Sequence, residues 1–437
     1  MPTQIDGVFG VYAFNSTHAC VYERLPIAKW KAPFTAPVDF PIQSHKSMNP
    51  IENETARRKQ FIPEFEGLRG LLAAWVVFGH ILLFCGFTYQ DGWFGIVFSP
   101  ILGVYTFMML SGFVITAALD QRASTWLHFM SRRFWRLFPV YVLCMALAII
   151  SFNVSVNVSA SPTLATFGPT NMTRLADVDQ HFCLYLAADS TLLQCLMPRY
   201  CFPYGSESFL PPTWSLTIEW LFYMVVPFLV LLIKRNWLMA IGAICSFTLA
   251  IYLLGPFLTE NVNQAFHVGN VFHFLTGIGS YYVWKKLPET RRCFRSTILF
   301  WATIASGIAL LHLPYKIWLA TMVIVLYRRV HQRPMYLIEL PRKILNSALL
   351  QSLGRMSYVT YLLHWIVIEI VIYCIIQLVP GLSDRLILAT LCIVTVYPLT
   401  YIFSHGIHRC IEIPMMKIPK HWGKKRVPLK EQVTAPT

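Results

Sequence analysis

The chain has 437 residues, 56% of them hydrophobic and only 13% charged, where a soluble domain carries about 25% charged residues. That balance excludes an ordinary water-soluble globule and predicts an all-α, polytopic membrane protein. The net charge of +15 does not imply a nucleic-acid partner, because the basic residues sit in short clusters between apolar runs.

Residues 1–63 are polar, proline-containing and aperiodic, and read as a cytoplasmic N-terminal segment. The opening "MPTQIDGVFGVYAFNSTHAC" lacks a basic stretch followed by an apolar core, so insertion is expected to depend on the first span. Apolar runs long enough to cross a bilayer follow at 68–87, 97–119, 137–155, 213–233, 237–254, 266–284, 296–312, 315–330, 356–378 and 386–406. This predicts a bundle of about ten helices, an even number that places both termini on the same side. With the N-terminus cytoplasmic, only Arg174, Arg199, Lys316 and Arg385 of the 36 lysines and arginines fall outside, as the positive-inside rule requires. The membrane domain is therefore expected over 64–416, with a basic cytoplasmic tail at 417–437.

The longest outside loop is expected over 156–212. Sequons at Asn153, Asn157 and Asn171 lie on or beside it and are glycosylation candidates. Two more, at Asn15 and Asn53, fall on the cytoplasmic side, so sequons alone do not fix the topology. Cys183, Cys195 and Cys201 lie in the same loop, and in an oxidising lumen one disulfide or three free thiols are both compatible with the sequence. The 11 cysteines include no CxxC and no zinc spacing; no metal or resident cofactor is expected.

Ionisable groups inside spans cost ~2.5–3.5 kcal/mol each when charged at a helix centre. Here they are His80, Glu219, His267, His273, His364 and Glu369, with His405 near an end. His80 follows Arg69 by eleven residues, about three turns, so the two share a helix face. An imidazole there is either a general base or a ring satisfied by a neighbouring helix. Glu219, in "PPTWSLTIEWLFYMVVPF", is either a proton carrier, an orienting or acceptor-binding carboxylate, or a carboxyl bonded to a neighbouring helix. In "SRRFWRLFPVY" Arg133 and Arg136 are spaced i, i+3 at an expected helix start, where guanidiniums bind phosphate bidentately or simply anchor the inner membrane edge. A buried base, a buried acid and an inner anion cradle suit an enzyme drawing a phosphate-bearing donor from the cytosol. They suit a proton-coupled transporter less, because no spans are broken by Gly or Pro at matching positions of two halves.

In chain order, "FEGLRGLLAAWVVFGH", "MMLSGFVI", "RRFWRLFPVY", "PTWSLTIEWLFYMVVP", "LGRMSYVTYLLHW" and "IEIP" resemble the motifs of the acyltransferase-3 family of integral-membrane O-acyltransferases, over about residues 61–416. An Asp and paired Phe often precede LSGF in that family; here the segment is "GVYTFMMLSGF", and no role for an Asp is carried over. The resemblance implies acetyl-CoA or another short acyl-CoA as donor, with Arg133 and Arg136 on the phosphates and Arg69 as a third cation. It implies His80 as catalytic base and Glu219 as the residue that orients or recharges it or binds the acceptor. Ser111, Trp214, Tyr223 and His364 fall in these motifs as acceptor-binding or structural positions. The partners expected are the bilayer, acyl-CoA and a hydroxyl acceptor. The leading expectation is O-acetylation of a secondary metabolite in a eukaryotic endomembrane such as the endoplasmic reticulum. A carbohydrate or lipid acceptor, or transport without chemistry, is the alternative.

Overall fold

The computed structural model describes residues 61–88, 97–121, 125–161, 168–261, 268–286, 312–330 and 335–420, with a few single positions between them. The segment 1–60 with Asn15 and Asn53, His267, the seventh expected span up to residue 311, and the tail beyond 420 lie outside the described residues. Every regular element among those described is helical.

Helices α1 (Pro63–Phe84), α2 (Pro100–Gln121), α3 (Trp126–Ile150), α7 (Trp214–Arg235), α13 (Ser357–Leu378) and α14 (Arg385–Ile407) supply six spans long and apolar enough to cross a bilayer. Between α3 and α7 come α4 (Phe152–Ser159), α5 (Gly168–Gln180) and α6 (Phe182–Ser190). The remaining helices are α8 (Trp237–Asn261), α9 (Val268–Lys286), α10 (Leu313–Val330), α11 (Tyr336–Leu345) and α12 (Ala348–Arg355). A helix stands at each expected span that the described residues cover. The chain is a multi-pass helical bundle.

Of the boundaries that differ from the apolar runs, two matter for the site. α1 starts at Pro63, with proline in the first turn and Glu64 and Glu66 beside it, a strong start signal. Arg69 is therefore inside the second turn, and His80 stands four residues from the last residue of α1 rather than at mid-span. α3 starts at Trp126, capped by the Thr125 side chain, eleven residues before the expected span. Arg133 and Arg136 thus lie two to three turns into a helix, beyond reach of the N-terminal dipole, which acts only over the first turn. Apolar length marks where a helix meets lipid, not where it begins.

Packing is tightest where side chains are absent. A Cβ on Gly277 of α9 would fall 1.9 Å from the Met109 carbonyl oxygen of α2, and one on Gly354 of α12 would fall 2.0 Å from that of Glu66 in α1. Glycine lets these backbones approach, the usual means of joining helices in lipid. At the lysine- and arginine-rich end, called inner below, Arg342 Nε meets Glu64 Oε1 at 2.7 Å and Gln351 Nε2 donates to the Pro63 carbonyl at 2.7 Å. Asp120 at the end of α2 takes both Lys234 of α7 (3.1 Å) and Lys285 of α9 (2.5 Å). α13 runs through the centre, buried on nearly all faces from Ser357 to Ile372, as its unbroken hydrophobicity requires.

The expected loop 156–212 is a folded helical cover at the outer end. Arg174, 4% exposed, donates from Nε to Asn171 Oδ1 (2.8 Å) and from Nη1 to the Glu207 and Ser208 carbonyls. Asn171 is itself buried and its Nδ2 donates to Ser159 Oγ at 2.5 Å. This corrects its place among the glycosylation candidates: a glycan on that nitrogen would have to occupy the packed interior. Asn153 and Asn157 are exposed. Cys183, Cys195 and Cys201 are unpaired.

Asp189 is 2% exposed, and its Oδ2 accepts from Ser208 Oγ at 2.6 Å. Burial raises its pKa to about 7. A carboxyl held above its unfolded value keeps a proton that the unfolded chain has lost, so the fold weakens as pH rises from about 4 to about 7 and levels off above. Protection factors of amides in α5 and α6, the observed exchange referred to the intrinsic rate at each pH, are therefore expected to fall over that window, and Asp189→Asn to remove the fall. An unaltered pH profile in the Asn variant would contradict this account of Asp189.

Candidate active site

His80 and His364 are brought together from 284 positions apart: His364 Nε2 lies 3.0 Å from His80 Nδ1. His364 Nδ1 lies 3.1 Å from the Thr360 carbonyl oxygen. A carbonyl only accepts, so His364 carries its hydrogen on Nδ1 and presents a bare Nε2. His80 must then donate from its own Nδ1, which leaves Nε2 of His80 as a lone pair. The Val76 carbonyl, one turn back, is a second acceptor for His80. Trp365 stands edge-on to the His80 ring at 5.4 Å, and His364 has no exposure.

His80 lines an outer cavity of about 350 Å³ with Asn171, Arg174, Tyr204, Glu207, Trp214 and Trp365. Trp214 is thus a wall of this chamber. The carboxylate next to the pair on α13, Glu369, is turned away and accepts from Ser155 Oγ (2.6 Å) and Trp365 Nε1 (3.0 Å).

A second, narrower cavity of about 90 Å³, called the inner cavity for the arginines on its wall, lies between α1, α2, α3, α7, α9 and α13. Arg69, Ser111, Arg136, Ser215, Glu219 and Tyr223 are among its walls. Glu219 Oε1 accepts from Ser111 Oγ at 3.1 Å and from the Tyr223 hydroxyl. Glu66, Glu219 and Glu412 all face Arg136 electrostatically, and Glu66 Oε2 stands 4.0 Å from Arg69 Nη1. Arg133 diverges from Arg136: its guanidinium stands 5.3 Å from the ring centres of both Phe129 and Tyr223, and its Nε has no hydrogen-bond partner among the described residues.

The expected grouping is therefore rearranged. Arg69 and His80 share α1 but serve different cavities. Glu219 sits with the arginines, and the group bonded to His80 is His364. Between the cavities stands Tyr361, one turn before His364. Its hydroxyl lies 2.8 Å from the Pro212 carbonyl oxygen and 2.8 Å from Ser215 Oγ, which is itself 3.2 Å from the same carbonyl, so the two hydroxyls share one acceptor and bond to each other. Tyr361, Ser215, Arg174 and Glu207 were not singled out from the sequence. Tyr361 had a signal in its i, i+3 spacing from His364; Arg174 had one in being an arginine directly after the Asn171 sequon, on the side expected to be poor in basic residues.

The sequence profile described as Acyltransferase domain, that of the acyltransferase-3 family, matches residues 62–405, which takes in α1 to nearly the end of α14. The chain belongs to the acyltransferase-3 family. No curated protein and no solved structure matches it. As an acyltransferase-3 protein it is a membrane acyltransferase, and both cavities and the histidine pair lie within the matched region.

Proposed function

We propose that the chain is an O-acyltransferase, most simply an O-acetyltransferase, that takes its acyl group from acyl-CoA at the inner cavity and delivers it to a hydroxyl in the outer one. The observation that carries this reading is the His80–His364 hydrogen bond, which leaves His80 Nε2 bare on a ring that lines the outer cavity. A base in that state accepts the acceptor's hydroxyl proton as the oxygen attacks the thioester carbonyl. The C–O bond forms, the C–S bond breaks, and the thiolate leaves with the proton the histidine pair returns. Excess charge on His80 is shared with His364 through Nδ1–H, and the Thr360 carbonyl holds the far end of the relay. The thioester reaches His80 only by displacing the Tyr361–Ser215 partition.

Arg69 and Arg136 would meet the donor's phosphates, displacing Glu66 and Glu219 from their company. Glu219 then balances and orients guanidiniums rather than the imidazole. Arg136→Ala and Arg69→Ala are expected to raise the KM for acyl-CoA about tenfold or more, with a smaller change for the acceptor. Arg→Lys should rescue only partly, since an ammonium cannot form the two-pronged phosphate contact. Arg133→Ala, which removes a group stacked on rings, should disturb the donor KM less. Equal effects at Arg133 and Arg136 would refute this division.

The outer walls, Trp214, Trp365 and Tyr204 with Arg174 and Glu207 at hand, favour an acceptor with a flat or alicyclic body and several polar groups. A secondary metabolite is our leading assignment, in an endomembrane of a eukaryote; a sugar, which also stacks on tryptophan, is the alternative. Metabolite profiling of a deletion strain tests both: a species lighter by one acetyl group is expected to accumulate. Transport without bond exchange would instead change where a compound is found and not its mass.

A further inference from the structure

Beside the inner cavity lies another that the proposed mechanism does not use. It has a volume of about 300 Å³ and opens between the first turns of α1, the last turns of α2 and the end of α9. Phe61, Phe65, Phe113 and Trp284 supply rings to it, and Gln121 supplies an amide. Phe61 is 59% exposed, while Phe65 and Phe113 are buried and stand edge-to-face at 4.8 Å. The amide of Gln121 also meets the Tyr281 hydroxyl. Arg69 lines both this cavity and the inner one, so its side chain is a wall common to the two. On the rim, Asp120 is the single carboxylate shared by Lys234 and Lys285, which leaves that edge net positive.

We propose that this hollow receives the adenosine end of acyl-CoA, with Arg69, which lines both cavities, on the diphosphate and the pantetheine arm running on past Ser111. The assignment rests on the acyl-CoA reading above. Three features fit one ligand in one order. Aromatic rings with an amide suit a purine, which stacks and offers hydrogen-bonding edges. A guanidinium on the common wall suits a diphosphate, which it grips bidentately. The positive rim suits a further phosphate on the ribose. From Gln121 back to Ser111 along α2 is ten residues, roughly 15 Å of helix, so purine and arm are held by successive turns of one element. Glu66 is the group that a diphosphate would displace from Arg69.

The test uses the full chain in detergent or nanodiscs, with acetyl-CoA compared against acetyl-phosphopantetheine, which lacks the adenosine and its diphosphate link. 3′-Phosphoadenosine 5′-phosphate serves as a binding probe for the nucleotide end alone. Phe61→Ala alters an exposed side chain and Ala118→Leu fills the hollow. Both are expected to weaken nucleotide binding and to raise the KM for acetyl-CoA about tenfold, the usual worth of one base stacked on an aromatic ring. The KM for acetyl-phosphopantetheine should stay within twofold, which also shows that the variants are folded. Two results would overturn the proposal: a parallel rise in both KM values, or no rise in either while the native protein still binds 3′-phosphoadenosine 5′-phosphate. A native protein that binds neither CoA nor the nucleotide would remove the acyl-CoA reading itself, and this inference with it.

Discussion

His80→Gln is expected to lower acyl transfer by about 10²–10⁴-fold, the usual contribution of a positioned general base. The reasoning rests on what glutamine keeps. Its amide is close in size to imidazole and can still donate to His364 Nε2, so the contact between α1 and α13 survives. It cannot accept a proton at neutral pH. Arg69 and the inner cavity lie about three turns away on the same helix, so binding of acyl-CoA should persist. His80→Ala should behave alike, with the added cost of a void beside Trp365. The measurement is turnover by purified variants whose folding has been checked by thermal unfolding and by donor binding. Near-normal turnover in His80→Gln would make the ring structural and move the search for a base to His364.

His364 is the second position where a large effect is expected, and of a different kind. His364→Phe preserves ring volume but removes one of the two acceptors that hold the His80 tautomer. His80 is then held by the Val76 carbonyl alone and turns more freely. A fall in kcat on the order of 10²-fold is expected, less than for loss of the base, because an imidazole held wrongly is still an imidazole. KM for the donor should be unchanged, since His364 does not line the inner cavity. His364→Gln, whose Oε1 can accept from His80 Nδ1, should recover most of the rate if His364 positions, and little if its ring must also carry the proton. An unchanged kcat in the Phe variant would show that the hydrogen bond has no part in turnover.

These two residues also show what the sequence makes legible. An imidazole on the face of Arg69, deep in an apolar run, singles out His80 by cost alone. His364 is just as buried, yet its partner is 284 positions away, and no local pattern says which helices meet. Motif order carried Arg133 and Arg136 as a pair; they stand only about 60° apart around α3, yet Arg133 lies over the Phe129 and Tyr223 rings and Arg136 lines the cavity, a difference set by the neighbouring helices and not by helix phase. The same limit explains Glu219, whose depth was readable but whose company, Ser111 and Tyr223, depends on how α2 lies against α7. The cover read as a loop because α5, "GPTNMTRLADVDQ", carries little apolar pattern; its order comes from Arg174 and Asn171, buried polar groups that composition assigns to the surface.

The partition between the cavities has an electrical consequence. In the reading proposed above, donor and acceptor enter from opposite faces, and clefts open to water and ions on each side would carry little of the voltage drop. Any membrane potential is then concentrated across the few ångströms occupied by Tyr361, Ser215 and the Pro212 carbonyl. A unit charge carried through the full drop gains or loses about 2.3 kcal/mol per 100 mV, enough to change a rate by more than tenfold. In the proposed mechanism, the proton passed between acceptor, His80 and His364 beside that wall would move in this local field. Turnover in sealed vesicles should depend on the sign of the imposed potential, a dependence that detergent-solubilised protein cannot have.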